Sequence, residues 1–148
     1  MEIIDKYPRM RFAPTGYFAF DAATEVIHYD PKRIDSKIGR LSLLHEISHA
    51  LLGHFHYDYD LELLSMELAA WQRTQQLAQK HSISYDNQYA ESCIESYDTW
   101  VQQRATCPEC EQFSSQIADD EYRCFACTTR WKVAGELNER VIRRVIKQ

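Results

Sequence analysis

A chain of 148 residues, 45% hydrophobic and with only four Gly and four Pro, describes a folded, mainly helical globular protein. There is room for one modest core and a small satellite module, which excludes two full-sized domains. The net charge of -5 excludes general nucleic-acid affinity over the whole surface, though not a local basic patch.

The N-terminal MEIIDKYPRMRF carries no apolar run of signal-peptide type, and no uncharged stretch is long enough to span a bilayer. The expected setting is the cytoplasm, with no membrane partner and with thiols kept reduced. The five cysteines are therefore read as metal ligands before disulfides.

In chain order, Arg9–Phe12, Tyr17–Phe20 and Glu25–Tyr29 read as short strands. Asp21-Ala22-Ala23-Thr24 is a hairpin turn between the last two, and Pro31 ends the third strand. An edge strand here matters, because a peptide substrate adds to a sheet edge through main-chain hydrogen bonds. Asp35 or Ser36 caps a helix over Lys37–Leu52, and Gly53 suits its left-handed stop. Ile38, Leu41, Leu44, Leu51 and Leu52 recur near helical spacing and bury at least one side.

After a polar, aromatic loop over 54–60, a second helix spans Leu61–Lys80, with Leu61, Leu64, Leu68 and Trp71 on one stripe. A third begins near Ser84 or Asp86 and turns Tyr89, Ala90, Cys93, Ile94, Tyr97 and Val101 inward. Cys93, spaced with Tyr89 and Tyr97, reads as a core residue. Gln102–Thr106 reads as a linker, and a last short helix is expected over Glu136–Lys147.

His45-Glu46-Ile47-Ser48-His49 is an HExxH motif on the first helix. Residues i and i+4 stack on one face, so both imidazoles reach one ion at about 2.0–2.1 Å. Glu46 falls beside the open coordination position, where it takes a proton from zinc-bound water and passes it to the leaving amine. The flanking Leu43-Leu44 and Ala50-Leu51-Leu52 bury the helix, and a Glu between two His in such a helix is costly unless used.

A catalytic zinc needs a third protein ligand. The longer HExxHxxGxxH arrangement is excluded, because Leu52 and Phe55 stand where its Gly and third His belong. His54 and His56 reach back only through a tight loop, and Glu62 sits near a helix start, where a carboxylate also suits the dipole. Glu67, set among apolar neighbours in Met66-Glu67-Leu68-Ala69-Ala70-Trp71, is favoured over these. An oxyanion donor has four candidates, Tyr57, Tyr59, His54 and His56, with none preferred.

LSLLHEISHALLGH followed by ExxA (Glu67 to Ala70), with Val26-Ile27-His28-Tyr29-Asp30-Pro31 ahead of it, resembles the ImmA/IrrE-like metallopeptidases of bacteria and their mobile elements. The resemblance covers roughly residues 9 to 80 by motif and order. It implies zinc ligands His45, His49 and Glu67, the base Glu46, and a gluzincin-type hydrolase. In that family the substrate is often a regulatory DNA-binding protein. The family usually continues with an Asn and a Phe where this chain has Ala70-Trp71-Gln72, so the substrate is not carried over.

Cys107-Pro108-Glu109-Cys110 and Cys124-Phe125-Ala126-Cys127 are two CxxC knuckles thirteen residues apart. That spacing puts four thiolates around a second, structural zinc, as in a zinc ribbon. Arg123, Arg130, Lys132, Arg140, Arg143, Arg144 and Lys147, with Tyr122, Phe125 and Trp131, suit either nucleic acid or a protein partner. A ribbon after an HExxH domain also resembles the SprT-type arrangement, without that family's downstream third His.

The expected fold is α+β. A minimal zincin-like core over 1–104, with a small N-terminal antiparallel sheet, the HExxH helix and further helices, precedes a zinc ribbon and C-terminal helix over 105–148. The expected activity is zinc-dependent hydrolysis of peptide bonds in an intracellular protein substrate. The alternative is a nucleic-acid-associated or regulatory binding protein with a silent peptidase scaffold.

Overall fold

The structure is a computed structural model that describes residues 2–147. Among the described residues it is α+β, with three helices and two small sheets. No described helix is long and apolar enough to cross a membrane. The chain divides into two compact units, one running to His56 and including Met66–Glu91, the other formed by Tyr57–Ser65 and the chain from Ser92 onward.

In the first unit a 3-10 turn, Ile4–Lys6, precedes strands β1 (Arg11–Pro14), β2 (Ala19–Asp21) and β3 (Val26–Tyr29). Asp21 closes the β2–β3 hairpin, its Oδ1 accepting the N–H groups of Ala23 (2.9 Å) and Thr24 (3.2 Å). The sheet is not antiparallel throughout, as expected, but mixed. β3 lies in the middle, parallel to β1 and antiparallel to β2. The register gives the reason. It sets Phe12, Ile27 and Phe20 side by side in one row, and all three join the core formed with Leu41, Leu44 and Ile47.

Helix α1 (Lys37–Leu52) packs over β2 and β3. Ser36 caps it, accepting the N–H of Gly39 at 3.0 Å, and Gly53 ends it in the left-handed region at φ 68°. Helix α2 (Asp60–Lys80) buries Glu67, Ala70, Trp71, Thr74, Leu77 and Ala78, an i, i+3, i+4, i+7 progression. Of the expected stripe of Leu61, Leu64, Leu68 and Trp71, Trp71 is buried and Leu64 half-buried, whereas Leu61 and Leu68 are exposed. Hydrophobicity alone misplaces part of the face because two inward residues, Glu67 and Thr74, are polar and partnered. Thr74 Oγ1 meets Ser48 Oγ of α1 at 3.1 Å, locking the two helices in one register.

Helix α3 (Asn87–Ala105) starts after Asp86, whose Oδ1 accepts the N–H of Tyr89 at 3.0 Å. Gln102–Ala105, expected as linker, continue this helix within the second unit. Their helical state is secured by a buried network. Arg104 Nε donates to Asp60 Oδ2 (2.7 Å), Tyr122 Oη donates to the same oxygen (2.5 Å), and Trp131 Nε1 donates to the Arg104 carbonyl (2.9 Å). A buried arginine with every partner in place tolerates desolvation that a lone charge would not.

The rest of that unit is an antiparallel sheet of β4 (Ser115–Ala118), β5 (Glu121–Arg123), β6 (Arg130–Ala134) and β7 (Ile142–Val145), in that order. The helix expected over Glu136–Lys147 does not form. Leu137, Val141 and Val145 have helical spacing, but Gly135 (φ 106°) and Asn138 (φ 69°) turn the chain back. A Cβ at Gly135 would lie 2.4 Å from the Arg140 carbonyl, so the reversal needs glycine. The β-branched Ile142 and Val145 then pair with β6.

Candidate metal centres

Both groups of donors lie where the local structure aims several side chains at one point. His45 and His49 are one turn apart on the buried face of α1, each 8% exposed, and Glu67, 5% exposed, enters from α2. His45 Nε2 lies 3.0 Å from His49 Nε2 and 3.0 Å from Glu67 Oε2, and His49 Nε2 lies 3.1 Å from Glu67 Oε1.

Protons do not satisfy this triangle. An N–H on one ring serves one contact only, bare lone pairs on both rings repel, and protons on both clash across 3.0 Å. A cation shared by the three groups satisfies every contact together. Ligand atoms about 2.0–2.1 Å from a tetrahedral ion stand about 3.3–3.4 Å apart, within a few tenths of an ångström of what is seen. Without an ion, burial raises the Glu67 carboxyl but the two neighbouring imidazoles outweigh it and bring it to about 2, and a shared cation in their place would likewise favour the anion.

The surrounding residues orient these donors. The His45 ring stacks on Trp71, centroids 4.3 Å apart and planes 25° from parallel. Its buried Nδ1 has no hydrogen-bond partner among the described residues, so stacking holds the ring. His49 is held differently, with Nδ1 2.9 Å from His54 Nδ1. With Nε2 turned to an ion, His49 donates through Nδ1 and His54 accepts. Burial, and next the neighbouring His49, lower His54, which favours the neutral ring an acceptor requires.

Glu46 is partly buried beside the triangle, its Oε2 accepting the Phe20 N–H of edge strand β2 at 2.8 Å. Burial raises its carboxyl, more than the nearby imidazoles lower it.

Of the other sequence candidates, Glu62 is exposed in the second unit and accepts the Asp58 N–H at 3.0 Å near the start of α2. His56 is exposed, Tyr57 and Tyr59 belong to the second unit, and Cys93 is half-buried on α3. Three contributors were not legible in the sequence: the Phe20 amide, the Trp71 stack, and His54 as the residue that holds His49. His54 was visible as a nearby imidazole, but five positions of spacing do not say which nitrogen it meets.

His54→Ala is expected to weaken metal retention at this site by about 10- to 100-fold and to leave the cysteine site loaded. Competition with a chelator of known affinity measures it, and unchanged retention would remove His54 from the site.

The second centre is built from two knuckles of the same shape. Glu111 N–H donates to the Cys107 carbonyl and Thr128 N–H to the Cys124 carbonyl, both at 3.0 Å, with positive φ at Glu111 (62°) and Thr128 (65°). Cys107 and Cys127 sulfurs are 3.6 Å apart, and those of Cys110 and Cys124 are 3.5 Å apart. Bonded disulfides are about 2.05 Å, whereas four sulfurs about 2.3 Å from one tetrahedral ion lie about 3.8 Å apart. Hydrogen bonds, first from Ser114 and then from the Cys127 amide, lower the Cys124 thiol to about 6, toward the thiolate that binds metal.

Each donor set is compatible with a metal ion such as zinc. Comparison with protein-family models, with curated proteins and with solved structures finds no match for the chain.

Proposed function

We propose that the chain is a zinc-dependent peptidase with an ImmA/IrrE-like, glutamate-type zincin core and a separate zinc ribbon. The observation that carries this reading is the convergence of two imidazoles and one carboxylate within 3.0–3.1 Å, with a fourth group, Glu46, anchored beside them.

Zinc held by His45, His49 and Glu67 supplies Lewis acidity toward the scissile carbonyl and toward water. Glu46 accepts a proton from the attacking water and returns it to the leaving amine. The Phe20 N–H fixes that carboxylate beside the three ligands, where it can reach the attacking water. The substrate backbone adds to the outer side of β2. The Phe20 and exposed Phe55 rings, centroids 6.0 Å apart, favour an apolar side chain next to the cleaved bond.

Metal counting with a fluorogenic peptide library tests the reading. Two zinc ions per chain are expected, since the three-ligand site keeps an open position and the four-thiolate site is closed. Mild chelation removes the first ion and the hydrolysis together, and added zinc restores both. Hydrolysis that persists with only the thiolate-bound ion present would overturn it.

A further inference from the structure

The second unit contains a surface that the peptidase reading does not use. Residues 122–148 carry seven basic side chains against Glu136 and Glu139, in a chain that is acidic overall. The sheet register decides which of them share a face. Trp131 and Val133 of β6 are buried, so Lys132 between them points outward. Arg144 stands directly opposite Lys132, and Arg123 directly opposite Arg130. Arg143 belongs to the other face, where its Nη1 donates to the Thr106 carbonyl at 2.7 Å.

The outer face thus gathers Arg123, Arg130, Lys132 and Arg144, with Ser115 opposite Arg123 on β4. Glu121 is the acidic residue in these rows; it stands directly opposite Lys132 and is ion-paired with Arg130. Among the described residues Arg123, Lys132 and Arg144 form no ion pair, and all three are exposed. Two cations facing each other across a ladder destabilise it. One carboxylate serves the four cations of these rows, so the face keeps an excess of positive charge that suits an anionic partner. Three of the four are arginines, whose planar fork matches phosphate. Two residues beyond Arg123, Phe125 is 74% exposed at the tip of the second knuckle, where it contributes little to the fold and is available for stacking on a base.

We propose that the outer face of β5–β7, with Phe125, binds single-stranded nucleic acid, the basic rows taking the phosphodiester backbone and the phenyl ring a base. The proposal does not depend on peptidase activity.

Fluorescence anisotropy with a labelled 20-nucleotide single strand, its duplex, and polyglutamate tests it, using the full chain with both metals bound. Affinity for the single strand is expected to fall with salt, with a log–log slope of about -2 to -3 for three or four contacts. Lys132→Gln with Arg144→Gln should reduce the slope by about 1 to 2 and weaken binding about tenfold or more at ~50 mM salt. Both side chains are exposed, so thermal stability and ribbon metal content should be little changed. Arg123→Gln gives an independent reading should the double variant fold poorly. Phe125→Ala should weaken the single strand by about fivefold or more while sparing the duplex.

No binding at low salt, or binding indifferent to these charges, would overturn the assignment. Equal affinity for polyglutamate would reassign the face to an acidic protein partner. Equal duplex affinity with no effect of Phe125→Ala would overturn the single-strand specificity.

Discussion

Replacing Glu46 by Gln is expected to lower kcat for peptide hydrolysis by about 10²–10⁴-fold and leave two metal ions per chain. Glutamine has nearly the same shape, and its amide oxygen still accepts the Phe20 N–H that anchors the native carboxylate at 2.8 Å. The side chain therefore stays where it is, and what disappears is the capacity to hold a proton. His45, His49 and Glu67 are untouched, and the contacts among them are direct, none passing through Glu46. KM should change little, because an interaction lost only in the transition state appears in kcat. Steady-state kinetics with metal analysis on the same sample separates the outcomes. Full activity in the variant would mean that another base does the work or that hydrolysis comes from elsewhere. Loss of metal alongside activity would mean that Glu46 has a structural part as well.

Cys124→Ser is expected to release the ion of the four-sulfur centre and unfold the sheet around it, while the three-ligand site keeps its ion. The buried cluster there is small: Cys107, Tyr122, Cys124, Trp131 and Val133. Two of its five members, Cys107 and Cys124, are themselves candidate metal donors. A core of that size does not offset the ordering of the strands. Metal binding in such modules is folding free energy, about 10–16 kcal/mol in small zinc-binding peptides.

A hydroxyl is a poor substitute for a thiolate, and it also breaks a knuckle in which the Cys127 N–H reaches the Cys124 sulfur at 3.5 Å. The expected signatures are one ion per chain, loss of amide-exchange protection in β5 and β6, and a red-shifted contribution from Trp131, which is 0% exposed in the native fold. Two ions retained with native protection would show that this unit stands without its metal.

The basic residues near the C-terminus show how far a one-dimensional pattern reaches. Leu137, Val141 and Val145 carry a helical period, yet two left-handed positions, Gly135 and Asn138, make a reversal instead. As a strand, the segment puts Arg143 and Arg144 on opposite faces, one bonded to Thr106 and the other beside Lys132. α2 gives a second case. Its inward face includes Glu67 and Thr74, which periodicity of apolar residues cannot find because their burial depends on partners from α1.

The order of residues alone determined the elements governed by neighbours within a turn or two. Ser36 and Gly53 delimit α1, the i and i+4 imidazoles share its face, Asp21 bends its hairpin, and the two CxxC pairs shape matching knuckles. Tertiary structure decided everything that needed two distant segments to meet: β3 between β1 and β2, the Glu67 approach to both histidines, the His54 contact, the Phe20 grip on Glu46, and the face on which each cation lies. Local patterns follow from fixed backbone geometry, whereas the energy of burying a charge or a polar group is set by whatever arrives opposite it, and no single stretch of chain encodes that.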